Sequence, residues 1–234
     1  MKPAAVLLAP GTNCHEESAF AIEQAGMPAE IIPVSDIIEG REDLRERPGL
    51  MVPGGFSWGD HFGAGRAMGL ALRDKLRQFA ELGRPMLGVC NGFQVFFEAG
   101  LFDGPDGTSG GALVQNLSGR FESRWVTVRV EGSTPWTEGL EGALLHLPVA
   151  HAEGRWLRPQ PPPKHLTTVL RYCRDGLPTE AYPWNPSGTP EGITGLCCGL
   201  VLGMMPHPER ATLPWQGSTA GRLIFDAFVR LMRG

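Results

Sequence analysis

The first hundred residues alternate short apolar runs with longer amphipathic ones, and that alternation limits the fold more than any other feature of the chain. Val6 to Ala9, Glu30 to Ile32, Gly49 to Val52 and Pro85 to Val89 are strand candidates, short and apolar enough to be buried on both faces. Helix candidates fall between them at His15 to Ala25, near Glu42 to Arg47, and from Ala64 to Leu82, where Met68, Leu72, Leu76 and Phe79 recur at helical spacing. Strand and helix in alternation imply β-α-β units around a parallel sheet. Turn residues close each strand: Pro10-Gly11, Pro53-Gly54-Gly55 and Cys90-Asn91-Gly92 all fall at carboxyl ends, where open α/β sheets hold their ligands.

After Gly100 the character changes. A glycine-rich loop, Asp103 to Gly111, precedes Trp125 to Val130, a β-rich run suited to antiparallel pairing at the sheet edge. Pro159 to Pro163 reads as an exposed loop, because proline supplies no N–H for a helix or an inner strand. Leu166 to Tyr172, Gly192 to Cys197 and Leu200 to Met204 read as further strands, and Gly221 to Met232 as a closing amphipathic helix. The expectation is a three-layer α/β fold, with a mainly parallel sheet flanked by helices and some antiparallel edge strands, forming one domain over residues 1–234.

The 234 residues carry 21 basic and 25 acidic side chains, with neither sign gathered into a block. Nucleic acid and membrane surfaces are therefore poor candidates for partners, and a small polar substrate or another protein is a better one. The five cysteines are odd in number and contain no C-x-x-C, which suits a reducing compartment. The apolar start is cut at Pro10-Gly11, and no apolar stretch approaches the roughly 20 residues that cross a bilayer. A cytoplasmic protein is expected. A zinc site among Cys173, Cys197, Cys198 and His165 lacks the paired ligand spacing of such sites, and no metal site is expected.

Three segments carry chemistry. Gly88-Val89-Cys90-Asn91-Gly92 has the form of a nucleophile elbow, a sharp strand-to-helix turn that exposes its central side chain above the sheet. The following helix would offer its positive end to the sulfur. Taken alone, the same string equally describes a buried cysteine followed by a helix cap. Met205-Pro206-His207-Pro208-Glu209-Arg210 supplies what a cysteine hydrolase also needs: a base beside the sulfur and a third group that orients the base. Proline on both sides should keep the backbone extended, so that His207 and Glu209 project from one side; by itself the string is also simply a rigid loop. The third segment, Val52-Pro53-Gly54-Gly55-Phe56-Ser57, can turn backbone N–H groups toward an oxyanion, with the N–H of Asn91 as second donor. It can also be a plain strand-to-helix turn.

Together these segments resemble class I glutamine amidotransferases of the Cys-His-Glu type, whose fold is flavodoxin-like. Longer strings narrow the resemblance to the glutaminase subunits of phosphoribosylformylglycinamidine synthase: Pro10 to Cys14, Gly54 to Asp60, Gly88 to Gln94, His151 to Gly154 and Leu202 to Ala211. The resemblance implies that Cys90 attacks the carboxamide of glutamine, that His207 shuttles the proton, and that Glu209 orients the imidazole. It also implies an oxyanion hole at Gly55 and Asn91, with Gly54 as a competing donor. Gln94, Asn116 and Ser118 would contact the substrate. No cofactor is implied for this chain; ATP and Mg belong to a separate synthetase subunit that receives the ammonia, and the resemblance further implies a small accessory subunit.

The sequence departs from that pattern at Trp58, at His61-Phe62-Gly63, in the long loop Asp103 to Gly111 and at Asn185 to Gly188. These bear on docking to a partner rather than on the three reacting residues. Two other readings remain: a stand-alone cysteine hydrolase or peptidase on the same fold, and a non-catalytic regulatory module. Cys14 reads as a small buried thiol near the site rather than a second nucleophile. His151 either contributes to the pocket or satisfies a turn.

Overall fold

A computed structural model describes residues 2–60 and 63–234. His61 and Phe62, part of one departure noted above, lie outside the described residues. In chain order the elements are β1 (Ala4–Leu8), α1 (His15–Gln24), β2 (Ala29–Pro33), α2 (Val34–Ile38), β3 (Leu50–Val52), α3 (Arg66–Glu81), β4 (Met86–Val89) and α4 (Asn91–Glu98). There follow β5 (Ala112–Val114), β6 (Glu122–Val130), β7 (Leu144–His151), β8 (Arg155–Leu157), β9 (Thr167–Arg174), β10 (Leu177–Pro178), β11 (Ile193–Cys198), β12 (Val201–Met204) and α5 (Arg222–Arg233).

One sheet runs in the order β2-β1-β3-β4-β12-β11-β9-β6-β7, with β10 paired to β9, while β5 and β8 form a separate two-stranded ribbon. The first five strands of that order pair parallel. From β12 onward every pairing is antiparallel. The antiparallel extension is thus wider than a few edge strands. The run at Trp125 to Val130 is also not an edge: β6 lies between β9 and β7. The edge strand is β7, which contains Pro148, and a strand with only one hydrogen-bonded neighbour tolerates a residue that has no N–H.

The chain runs from β1 to β2 in one direction along the sheet and from β3 to β4 in the other. With right-handed crossovers, this places α1 and α3 on opposite faces. α5 packs beside α1, and α4 beside α3. α3 buries one stripe, Met68, Leu72, Leu76 and Phe79, whereas α4 is buried on all sides from Asn91 to Phe96. Trp136 stacks on Phe228 of α5, with centroids 5.5 Å apart, and donates its indole N–H to Leu200 O. The strand order reverses between β1 and β3, and a crevice opens at such a switch point. There Gly11 to Cys14 lies against Gly54-Gly55 through a bridge between Thr12 and Gly55, and Asn13 and Cys14 donate to Gly54 O. The helix expected near Glu42 to Arg47 is only a short 3₁₀ turn, Leu44–Glu46, and the helical segment α2 precedes it. No helix among the described residues is long and apolar enough to cross a membrane.

Candidate active site

Three strand ends converge at the three motifs that carry chemistry. β4 stops at Val89, Cys90 takes φ 51° and ψ −104°, and α4 begins at Asn91. A non-glycine residue in that region is strained and persists only when its neighbours hold it. Cys90 N–H donates to Met204 O of β12 at 2.8 Å, and Cys90 O accepts from Phe93 and Gln94. A Cβ on Gly92 would overlap the Val52 carbonyl, so only glycine lets α4 descend onto β3. The buried sulfur stands at the head of α4 with Ala150 O at 3.5 Å.

His207 arrives from β12. Its N–H donates to Pro148 O of β7 at 2.8 Å, so the edge strand fixes its backbone. His207 itself is extended, but Pro208–Arg210 tightens into a 3₁₀ turn, which corrects the expectation of an extended segment. The turn swings Glu209 back beneath the ring, and His207 Nδ1 and Glu209 Oε1 lie 2.6 Å apart. Burial alone would lower the pKa of His207. The charges of Glu209 and Cys90 outweigh it and, with the Cys14 thiol beside Nδ1, hold the imidazole well above its ordinary value. With Nδ1 engaged by Glu209, Nε2 is the nitrogen left for chemistry, and it is buried without a partner among the described residues.

Gly54 makes room for this ring. A Cβ there would stand 2.6 Å from His207 Cε1 and 3.2 Å from Cys14 Sγ. Gly55 lines the cavity in front of Cys90. Asn91, as the first residue of α4, has an N–H with no acceptor within its own helix. Its side chain has a role that no motif revealed: Oδ1 accepts from Ser57 N–H at 3.2 Å, while Nδ2 donates to Gln94 Oε1 at 3.0 Å and to Asp60 Oδ1 at 3.4 Å. Asn91 thereby ties the glycine loop to the elbow.

The cavity over Cys90 measures about 50 Å³. Gln94 lines it, and its Nε2 donates to Glu153 O at 2.6 Å. Asn116 lies behind the wall. Its Nδ2 donates to Arg120 O and His151 O, and its Oδ1 accepts from Gly154 N–H and from His151 Nδ1. The carbonyls around Nδ2 fix the amide orientation, so Nδ1 of His151 carries the proton and Nε2 accepts from Tyr172 OH at 3.4 Å. Burial pushes the pKa of His151 down to about 3, with the nearby His207 and Arg124 charges acting in the same direction. Ser118 is not brought to Cys90; it lines a separate cavity with Leu117, Tyr182 and Asn185.

Cys14 is buried as expected, yet its Sγ lies 3.9 Å from His207 Nδ1 and 3.1 Å from Arg210 Nη2. Burial raises its pKa. Cys14, His207 and Glu209 are the one group of metal-ligating side chains among the described residues; Cys173, Cys197, Cys198 and His165 form none. Sequence reasoning held Asp60 only as the end of the Gly54 to Asp60 string and gave it no role, whereas it lines the cavity.

Nucleophile elbow, buried His–carboxylate pair and glycine loop, set on a switch-point sheet, define a cysteine-dependent amidotransferase class. The CobB/CobQ-like glutamine amidotransferase domain family matches residues 2–225, and the chain belongs to that family. Its relatives include the phosphoribosylformylglycinamidine synthase subunit PurQ of Thermus thermophilus, 41% identical over 97% of each chain. The protein of the same name from Methanopyrus kandleri is 40% identical over 98% of each. Among solved structures, a chain of the Thermotoga maritima PurLQS structure superposes with a TM-score of 0.81 at 32% identity, covering 98% of this chain and 99% of that one. A glutamine amidotransferase from Thermotoga maritima, 11% identical with a TM-score of 0.64 over 99% of this chain and 98% of that one, shares the fold.

Proposed function

We propose that this chain is the glutaminase subunit of phosphoribosylformylglycinamidine synthase, with Cys90, His207 and Glu209 as its reacting residues. The observation that carries the reading is the 2.6 Å bond from His207 Nδ1 to Glu209, which leaves a buried Nε2, unpartnered among the described residues, as the proton carrier for the elbow cysteine. Cys90 sulfur attacks the carboxamide carbon of glutamine, and backbone N–H groups of Gly55 and Asn91 hold the oxyanion. His207 Nε2 gives its proton to the departing nitrogen. The C–N bond breaks, ammonia leaves and a thioester remains. Water then attacks the thioester carbonyl as Nε2 takes its proton, and C–S cleavage returns glutamate and the free sulfur. Glu209 stabilises the imidazolium and keeps its tautomer.

Gln94 would contact the substrate directly, and Asn116 would act through the wall it holds. Ammonia passes to an ATP- and Mg-dependent synthetase subunit, assisted by a small accessory subunit; this chain needs no cofactor for its half of the reaction. Glutamine would enter the cavity between Gly55 and the 150–153 wall, with its carboxamide over Cys90.

The test is glutamate release by the purified chain, alone and with synthetase subunit, ATP, Mg and formylglycinamide ribonucleotide. Weak turnover alone and strong turnover in the mixture is expected. Cys90→Ala should abolish glutamine-dependent synthesis and spare synthesis from added ammonia. Loss of both would refute the division of labour.

A further inference from the structure

We infer that Cys14 is a positioning residue for the reaction: it seats the imidazole of His207 on the side opposite its reacting Nε2 and couples that ring to the loop carrying Gly55. The inference rests on the glutaminase reading for the part His207 plays. It gives a role to the Pro10 to Cys14 string, which the reaction itself leaves unused. Cys14 is buried, and its Sγ lies 3.9 Å from His207 Nδ1, the nitrogen already held by Glu209. Gly54 faces the same edge of the ring, since a Cβ there would stand 2.6 Å from Cε1, 3.3 Å from Nδ1 and 3.2 Å from Cys14 Sγ. Ring, sulfur and glycine thus fill one space, and a shift of one displaces the others.

The sulfur is held from several directions. Cys14 immediately precedes α1, and its carbonyl accepts from Ser18 N–H at 3.1 Å and from Ser18 Oγ at 2.6 Å. Its thiol donates to Asn13 Oδ1 at 3.1 Å, and its sulfur accepts from Arg210 Nη2 at 3.1 Å. Burial raises the pKa of Cys14, which keeps the proton in place for Asn13 and makes the sulfur a neutral neighbour rather than a second nucleophile. With its hydrogen turned to Asn13, the sulfur presents lone pairs, a weak acceptor, to the Nδ1 side of the imidazole. That side grows more positive when His207 is protonated, so the contact favours the imidazolium that gives its proton to the departing nitrogen. The backbone of Cys14 reaches the other half of the machinery. Asn13 N–H and Cys14 N–H both donate to Gly54 O, at 3.4 and 3.3 Å. The peptide is planar and trans, so a Gly54 carbonyl held there turns the Gly55 N–H of the same peptide the opposite way. One residue thereby ties the base to the oxyanion loop.

The experiment follows glutamine hydrolysis against pH in the complex of this chain with its synthetase subunit. Cys14→Ala should lower kcat about tenfold with KM for glutamine within about twofold of wild type, the pattern of a displaced reacting group rather than a lost substrate contact. The alkaline limb of the kcat/KM profile should move to lower pH, because one of the groups that hold the imidazole above its ordinary value is gone. Cys14→Ser, which keeps a small group able to donate to Asn13, should recover most of the loss, and synthesis from added ammonia should stay intact in both variants. Asn13→Ala changes an exposed residue and releases the thiol; it should show the same pattern on a smaller scale and gives the answer if Cys14→Ala does not fold. Wild-type kcat and an unmoved alkaline limb in these alanine variants overturn the inference. So does an equal loss in Cys14→Ala and Cys14→Ser with a lowered melting temperature and no ammonia-dependent synthesis, which would make Cys14 an ordinary core residue. Alkylation of Cys90 by iodoacetamide, located by mass spectrometry, supplies the comparison without glutamine, and it should begin at higher pH in Cys14→Ala than in the wild type. A wild-type complex that releases no glutamate therefore sinks the glutaminase reading, whereas alkylation profiles that coincide sink this one.

Discussion

Gly54 is the position where one added carbon does most damage to the site. Its missing side chain is the space in which the imidazole of His207 lies, between the glycine backbone and Cys14. Gly54→Ala should push the ring away from the sulfur by a few tenths of an ångström or more and lower kcat for glutamine hydrolysis about 100-fold, the usual scale for misplacing a reacting group. The melting temperature should change far less, because Cys14 and the ring can shift together. Steady-state kinetics beside thermal unfolding check this, and an unchanged kcat would mean that the ring has slack.

At the scale of elements, the wall facing Cys90 is the end of β7 and the turn after it, and Asn116 holds that wall with all four of its side-chain hydrogen-bonding groups. Asn116→Ala would leave two carbonyls and two N–H groups to find water in a buried place. At 1–3 kcal/mol for each group that stays unpaired, and with water satisfying part of them, the expected loss is about 3 kcal/mol of stability, read from urea denaturation. KM for glutamine should rise in the same variant, because Ala150 O and Glu153 O lose their fixed positions. A stability loss with KM unchanged would show that the wall is positioned from elsewhere.

At the scale of the whole molecule, the site straddles the seam between the two halves of the sheet. The parallel half carries Cys90 and the glycine loop, and the antiparallel half carries His151 and the Pro148 carbonyl that pins His207. Two buried histidines on this seam respond to pH with opposite signs. His151 titrates near 6.5 when exposed and near 3 in the fold. Between those values the unfolded chain binds a proton that the folded chain refuses, so stability falls as pH falls, by up to ~1.4 kcal/mol per pH unit for one group. His207 is shifted upward, so its contribution is fully present below its ordinary value and is lost as pH rises through its folded pKa. His151→Asn should therefore flatten the acid-side decline between about pH 6.5 and 3, followed by chemical denaturation across that range. An unaltered slope would assign the acid sensitivity to other groups.

Residues whose roles depend on local backbone form are legible in the chain itself. Cys90 at its elbow, the His207–Glu209 pair two residues apart, and the strands and longer helices of the first hundred residues announce themselves within a short stretch, because period, turn chemistry and capping are local properties. What depends on distant segments is not legible in that way. β7 is hidden by the proline that its edge position tolerates, and without it β6 looks like the border. α2, with five residues, is too short to show a period. Glu209 reaches His207 through a turn rather than along an extended strand. Asp60 and Glu153, far apart in the chain, come to line one cavity with Cys90 only when their loops fold together. The sequence by itself determined the layered α/β class and pointed to the Cys90, His207 and Glu209 side chains; the tertiary structure decided which polar groups share the cavity, since burial and pairing are set by contacts between segments far apart in the chain.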